Sequence, residues 1–187
     1  MAVLERRGIS IDGQYMPAGA TNSDKCRAVS ANVVEAPRAD SQCFHMPTPR
    51  RVVVLVVPPI EELDLIGPVQ VFSTATRLMR RGGTPYEICV ASTTPDRMIA
   101  GESGLSIVAH DHYQALEGEI DSLLLVSGVK MRNRRDDELF AWLRQTVPEC
   151  RRVGAVCISA FLLARAGVLS NQRATVHWKY AHELAWR

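Results

Sequence analysis

Short apolar runs alternate with segments of helical periodicity from residue 51 onward. Each run is four to six residues long and nearly continuous, which is the pattern of a strand buried on both faces. The runs lie at residues 52–57, 86–91, 122–126 and 153–156. Buried strands that alternate with helices form parallel sheets joined by right-handed crossovers. The sequence therefore predicts an α/β fold with a mostly parallel central sheet.

A helix is predicted over residues 68–79, where apolar residues recur at helical spacing. Pro68 suits its first turn, because the N–H groups of a first turn have no acceptor within the helix. This start assigns Glu61, Glu62 and Asp64 to the loop that follows the first strand. Further elements are predicted as a hairpin, an amphipathic helix and a final helix, at residues 97–109, 136–146 and 177–185.

Residues 1–50 lack this order. Ala, Ser, Pro, Gly, Asn and charged residues dominate there, and apolar residues recur without a sustained period. We therefore expect a disordered or loosely attached extension, followed by one domain at residues 51–187. Met46 stands just before the first strand and is an alternative start to Met1.

Composition excludes several classes of function. The chain has 187 residues, of which 47% are hydrophobic and 22% charged, as in an ordinary soluble domain. The formal net charge of +2 gives no case for binding nucleic acid or an anionic membrane. No apolar run is long enough for a membrane span. The five cysteines form no CxxC pair, which argues against a disulfide framework or zinc site and favours the cytoplasm. His110 and His112 lack an identifiable third metal ligand, so we expect a surface pair and no metal.

The most informative stretch begins at residue 153. A short strand leads into Cys157, and the good helix formers of residues 160–166 follow, with Gly167 where a helix C′ residue would lie. A cysteine between strand and helix is the arrangement of a nucleophile elbow. Free helix N–H groups beside it favour thiolate over thiol. The alternative is that Cys157 is a small buried hydrophobic residue.

Two other candidates fall at the same edge of the predicted sheet. Functional residues gather beyond the carboxyl ends of parallel strands, where Asp64, Gly128 and Cys157 all lie. A cysteine nucleophile, an acid that tunes it and N–H groups near Gly128 that bind an oxyanion would make a catalytic site. In the alternative, Asp64 caps a helix, Gly128 only permits a turn and His177 is an exposed residue at a helix start.

These segments resemble the ThiJ/PfpI superfamily of class I glutamine-amidotransferase-like domains. The closer resemblance is to the N-terminal domain of AraC-family transcriptional regulators (the GlxA-type group) and to the isonitrile hydratases. It runs from about Arg51 to the end of the chain and rests on IEELDLIGPVQVF, LLLVSG, VGAVCISAFLLARAGVL and RATVHWKYAHELA. The resemblance implies a three-layer flavodoxin-like sandwich that is commonly dimeric and requires no cofactor.

The resemblance also assigns roles by position. Cys157 matches the elbow cysteine, Asp64 the acid beside it and His177 a histidine that some members place near the thiol. Gly128 matches the first glycine of the oxyanion loop. The ligand contacts are then expected from that loop and from the residue after the cysteine, namely Gly128, Val129 and Ile158.

Two departures from the family pattern weaken the expectation of catalysis. Val129 stands where the enzymes usually have a second glycine, and Ile158-Ser159 stands where the regulators usually have threonine and glycine. A β-branched Val129 resists positive φ, so the oxyanion loop is expected to be misshapen for catalysis while a small-molecule pocket remains.

The end of the chain is a third departure. Similar regulators continue through a further strand and helix into a helix-turn-helix domain, whereas this chain ends at Arg187. We therefore expect a truncated domain that does not itself bind DNA. Apolar sheet surface left uncovered would cause weak thermal stability or oligomerisation.

Two functions follow from this reasoning. In the first, the domain senses a small-molecule ligand and forms a homodimer, as in AraC-family regulators, without the DNA-binding half. In the alternative, it is a cysteine-dependent enzyme acting on a small carbonyl or isonitrile compound, with Cys157 as nucleophile and Asp64 as acid or base.

Overall fold

The protein is described by a computed structural model that covers residues 2–5, 48–79, 85–170, 172 and 174–185. Within these residues the strands are β1 Ala2–Glu5, β2 Arg50–Val57, β3 Tyr86–Ser92, β4 Met98–Ala100, β5 Ser106–Val108, β6 Asp111–His112, β7 Ser122–Ser127 and β8 Arg152–Ala155. The α-helices are α1 Glu62–Leu78, α2 Asp137–Thr146, α3 Ala160–Arg165 and α4 Ala181–Ala185.

One sheet organises the molecule, with strands in the order β1-β8-β7-β2-β3-β6. Strands β8, β7, β2, β3 and β6 are all parallel, and β1 pairs antiparallel with β8 at the edge. Strands β4 and β5 form a separate antiparallel hairpin, as predicted. The parallel pairing confirms the predicted class of fold and brings the carboxyl ends of β2, β7 and β8 to one edge of the sheet.

The central strand β2 is buried on both faces. Residues 52–57 are all fully inaccessible, and alternate side chains point into two different apolar clusters. One cluster contains Leu139 of α2 and Leu162 of α3, and the other contains Leu65 of α1 and Ile99 of the hairpin. Helices therefore cover both faces of the sheet in three layers, as the sequence predicted.

The start of α1 differs from the prediction. The helix begins at Glu62, so Glu62 and Asp64 lie in its first turn and Pro68 lies inside it. Acidic side chains are favourable at a helix N-terminus, and burial of Leu65 to 1% exposure packs this first turn against the sheet. These two effects outweigh the one N–H hydrogen bond that Pro68 cannot make.

Two strands were not predicted. Strand β6 is only two residues long, and the backbone of β1 pairs with β8 from Ala2↔Ala155 to Glu5↔Arg152. Residues 6–47, including the alternative start Met46, lie outside the described residues, so the prediction of a loose extension stays a prediction. The predicted final helix is a 3-10 turn, Trp178–Tyr180, that continues into α4.

Among the helices of the described residues, none has the length and apolar character that crossing a bilayer requires.

Candidate functional site at the carboxyl edge of the sheet

Cys157 lies at a sharp bend between β8 and α3. The bend is a 3-10 turn, Cys157–Ser159, and Cys157 itself has φ = 54°. A non-glycine residue in this region is strained by about 1–2 kcal/mol and persists only where its surroundings hold it. Two backbone bonds do so: Val156 N–H donates to the Leu125 carbonyl (2.9 Å) and Ser159 N–H to the Val156 carbonyl (3.1 Å).

A buried pair of hydroxyl groups also fixes this bend. Ser127 Oγ, at the end of β7, lies 3.0 Å from Ser159 Oγ in the turn, and both residues are at most 1% exposed. A hydrogen bond between buried groups is strengthened by the low local dielectric, and its loss is costly because neither group can bond to water instead. The pair therefore joins the strand that precedes Gly128 to the turn that carries Cys157.

Asp64 faces the thiol from the first turn of α1. The Cys157 thiol hydrogen-bonds to its carboxylate, while the Oδ2 atom is buried and has no hydrogen-bond partner among the described residues. Burial raises the pKa of Asp64, and the hydrogen bond with Cys157 and the charge of His177 oppose that rise only in part. The predicted proximity of the acid and the thiol is thus present in the structure.

The electrostatic state of the thiol is the reverse of the expectation. Burial is the largest cause that raises the pKa of Cys157, and the negative charge of Asp64 raises it further. The Ile158 N–H donates to the sulfur and lowers the pKa, as expected at a helix terminus, but this effect is smaller than the other two. The partly buried thiol is therefore protonated at neutral pH, because the helix end is outweighed by burial and by Asp64.

Gly128 is required by a close backbone approach. Its φ is −86°, its N–H donates to the Pro59 carbonyl (2.8 Å), and a Cβ placed on it would lie 2.5 Å from that same oxygen. The N–H expected to help bind an oxyanion is thus already engaged. Val129 opens a 3-10 turn, Val129–Asn133, and is 40% exposed. Positive φ occurs among the described non-glycine residues only at Arg97 and Cys157, so Val129 does not adopt it, as expected of a β-branched residue.

His177 and Ile158 occupy more peripheral places. His177 is exposed, and its Nδ1 accepts the Lys179 N–H (3.2 Å), which caps the turn before α4. Its charge still acts on Asp64, although no direct contact joins the two. The Ile158 side chain is 1% exposed and packs in the interior, so this residue offers the cleft only its main chain.

Sequence reasoning predicted the hairpin of β4 and β5 but not its contacts with the segment that leads into α1. Ile60 N–H donates to the Ala100 carbonyl (3.1 Å), and Glu102 N–H donates to the Ile60 carbonyl (2.8 Å). The Glu62 carboxylate accepts both the N–H (3.1 Å) and the hydroxyl of Ser103, and the hydroxyl bond is the first cause that lowers the pKa of Glu62. No local sequence pattern predicts these contacts, because they join segments about 40 residues apart in sequence.

A charged pair lies at the rim beside Gly128. Lys130 Nζ is 2.9 Å from Glu102 Oε2, so the hairpin is tied to the loop after β7. The Lys130 side chain is 69% exposed. An exposed pair of this kind contributes little stability, but it places one positive and one negative charge beside Gly128.

The two histidines are engaged elsewhere. His110 Nδ1 accepts the Val90 N–H (2.9 Å), and the His112 ring lies 4.8 Å from that of Tyr113. No cluster of three or more His, Cys, Asp or Glu side chains suited to a metal occurs within the described residues.

Comparison with known proteins places this arrangement in context. The sequence profile of the DJ-1/PfpI family matches residues 50–186. An uncharacterised protein in the cpoL 5′ region of Streptomyces lividans is 34% identical over 140 residues, which are 74% of this chain and 95% of that protein. The isonitrile hydratase of Pseudomonas putida is 26% identical over 131 residues, and the match spans 70% of this chain but only 53% of the enzyme.

A solved structure shows the same fold. An AraC family transcriptional regulator from Pseudomonas putida superposes with a TM-score of 0.61 at 22% identity, covering 74% of this chain and 72% of that one. At this level of identity the likeness extends to the fold alone.

Proposed function

Since the chain belongs to the DJ-1/PfpI family, we propose that it is a small-molecule-binding domain with the ligand-sensing role of an AraC-family regulator's N-terminal domain. The observation that carries this proposal is the position of Cys157 beside Asp64, where burial and the carboxylate charge raise the pKa of the thiol. A cysteine attacks as its thiolate, and a thiol whose pKa is raised holds little thiolate at neutral pH. Such a pair suits recognition better than nucleophilic attack.

The charges around the cleft limit the ligand. Glu61 and Asp64 both act electrostatically on Cys157, and Asp64 has a carboxylate oxygen without a partner among the described residues. A ligand with a hydrogen-bond donor or a positive charge satisfies that oxygen, whereas an anion is repelled. We therefore propose a neutral or cationic ligand, bounded on one side by Val129 in the loop after Gly128.

The pH dependence of Cys157 alkylation tests the proposal. Iodoacetamide labelling is followed at the Cys157 peptide by mass spectrometry, with glutathione in the same tube as an ordinary thiol. We expect a midpoint above the value of about 8.5 that is typical of a free cysteine. Asp64→Asn removes a negative charge beside the sulfur and shifts the midpoint downward. A wild-type midpoint below that of glutathione overturns the proposal and favours catalysis.

A second candidate function is supported by the strained φ of Cys157 and by the isonitrile hydratase relative. In that reaction the Cys157 sulfur would add to the terminal carbon of R–N≡C, with the thiol proton passing through Asp64 to that carbon, to give the thioimidate R–N=CH–S–Cys157. Water would then add at the carbon, and C–S cleavage would release the formamide R–NH–CHO and the thiol. Turnover of an alkyl isonitrile that is abolished by Cys157→Ser would establish this function; under the sensor proposal, no turnover is detected.

We further propose that the domain is a homodimer and acts in the cytoplasm. Exposed apolar side chains on α1 support the first point, because surface patches of this kind mark association sites. Cys89, Cys150 and Cys157 are unpaired, which suits a reducing compartment.

A further inference from the structure

A second cleft lies at the end of the sheet opposite Cys157. It has a volume of about 730 Å³ and is lined where β2, β7 and β8 begin, whereas Cys157 follows the carboxyl end of β8. Helix α2 supplies another wall through Trp142. This volume is in the range of ligand pockets, which combine apolar walls with a few convergent polar groups. The geometry points to a binding site here for a small aromatic carboxylate.

Arginine side chains supply the polar groups. Arg51 lines the cleft, and its Nη1 donates to the Glu117 carbonyl, so the guanidinium is held in place. Its Nε is buried and has no hydrogen-bond partner within the part of the chain that the structure describes. The Cys89 side chain also hydrogen-bonds to this guanidinium, so Arg51 is fixed at the wall of the cleft, where a carboxylate would make charge-assisted bonds with it.

Three arginines and three acids line the cleft, and the arginines lie at the strand starts around Asp121. Arg151 is paired with Asp121 through two bonds of 2.7 Å, and Arg50 lies within electrostatic range of the same aspartate. One carboxylate thus faces two guanidinium groups, with Arg51 beside them. Arginine is suited to carboxylates because its planar fork matches their geometry.

Two features define the rest of the ligand. Trp142, Leu116 and Ile120 line the same cleft and favour an aromatic or apolar body. Glu119 and Glu149 are exposed at the rim. Inorganic phosphate has no apolar body to place against Trp142, Leu116 and Ile120, so the site is expected to prefer an aromatic carboxylate.

Isothermal titration of the full chain with benzoate tests this inference, with benzyl alcohol as the neutral analogue. We expect benzoate to bind measurably more tightly than either benzyl alcohol or inorganic phosphate. Arg51→Gln should weaken benzoate binding by about tenfold or more, since it removes a charge-assisted hydrogen bond. Arg144→Gln, an exposed change on α2 outside the cleft, should leave it unchanged.

Further variants keep the test decisive. Arg50→Gln alters an exposed side chain of the same cleft and should also weaken benzoate binding. This variant decides the test if circular dichroism shows that Arg51→Gln does not fold. Cys157→Ser should leave benzoate binding unchanged. The result for this site is therefore independent of the result for the proposed sensing site at Cys157. Absence of benzoate binding, equal binding of benzyl alcohol, tighter binding of phosphate, or loss of binding in Cys157→Ser would each overturn the inference.

Discussion

Cys157 is held in a backbone conformation that its own Cβ resists. With φ = 54°, the residue occupies a region that glycine visits freely and other residues avoid. Cys157→Gly should therefore be more stable than Cys157→Ala by about 1 kcal/mol, since both lose the thiol and only glycine loses the strain. Urea unfolding measures the difference.

A comparison at a second position separates this strain from the general entropic cost of introducing glycine. Ala160, the first residue of α3, has φ = −56° and is fully buried, so Ala160→Gly should be destabilising by about 1 kcal/mol. If Cys157→Gly were instead the less stable member of its pair, the bend would not be strained as described.

The ionised carboxylate of Asp64 opposes folding at neutral pH. Its pKa is raised in the folded protein, chiefly by burial, so its contribution to stability is fully present below the unfolded pKa of about 3.9 and is lost as pH rises through the folded value. Asp64→Asn should raise Tm at pH 7, and the gain should shrink toward pH 4. We expect at most about 1 kcal/mol, or ~2–4 °C, because the half-buried carboxylate is screened by water.

Differential scanning calorimetry at several pH values checks this sign. Asp137→Asn, an exposed change in the first turn of α2, should give no such gain. A destabilised Asp64→Asn at pH 7 would show that the ionised form is needed for folding.

The identity of the central residues was predictable, but their environment was not. The strand–cysteine–helix order predicts a bend at Cys157. The acids that follow β2 predict that Asp64 lies at the same edge of the sheet. The raised pKa of the thiol depends on burial, which no local sequence pattern reports. The engagement of the Gly128 N–H depends on Pro59, about 70 residues earlier in the chain.

At the scale of elements, β7 and the bend are joined by the buried pair Ser127 and Ser159. Replacing either serine by alanine leaves the other hydroxyl without this partner, which costs about 1–3 kcal/mol. The double alanine variant should cost less than the sum of the single changes, because no unsatisfied hydroxyl remains. Chemical denaturation of the four proteins of this cycle gives the coupling energy.

The same variants should loosen the site. Either single change should increase the alkylation rate of Cys157, since the turn that carries it loses a restraint. Strict additivity of the two unfolding free energies, with no change in alkylation, would mean that the hydroxyl groups do not act together.

Strands and helices could be predicted where their burial requires a local run or spacing of apolar residues. Strands β2 and β7 are buried on both faces and appear as continuous apolar runs. Strand β6 has only Asp111 and His112, and it exists because β3 offers a free edge, which sequence cannot show. The start of α1 was misplaced because Pro68 was taken as a first-turn signal, whereas packing of Leu65 starts the helix earlier.

At the scale of the whole molecule, the unexplained surface lies on α1. Leu63, Ile66, Val71 and Leu78 are 46–78% exposed and fall within one side of α1 at 100° per residue, where Arg77 is the one charged residue. Charged residues normally occupy the solvent face of a helix, so an apolar stripe there indicates a partner. Since the proposed homodimer needs such a face, we expect α1 to form its interface.

Sedimentation velocity tests this expectation on the full chain. The wild type should sediment as a dimer at micromolar concentration, and Leu63→Glu with Val71→Glu should give a monomer, because two charges per protomer would be buried without partners. Leu105→Glu, at a 62% exposed leucine of the hairpin, is the matched control and should remain dimeric. A monomeric wild type would contradict the proposed homodimer, and dissociation by Leu105→Glu would place the interface at the hairpin instead of α1. In that case the apolar stripe would be a solubility liability, and the wild type should aggregate more readily than the double variant.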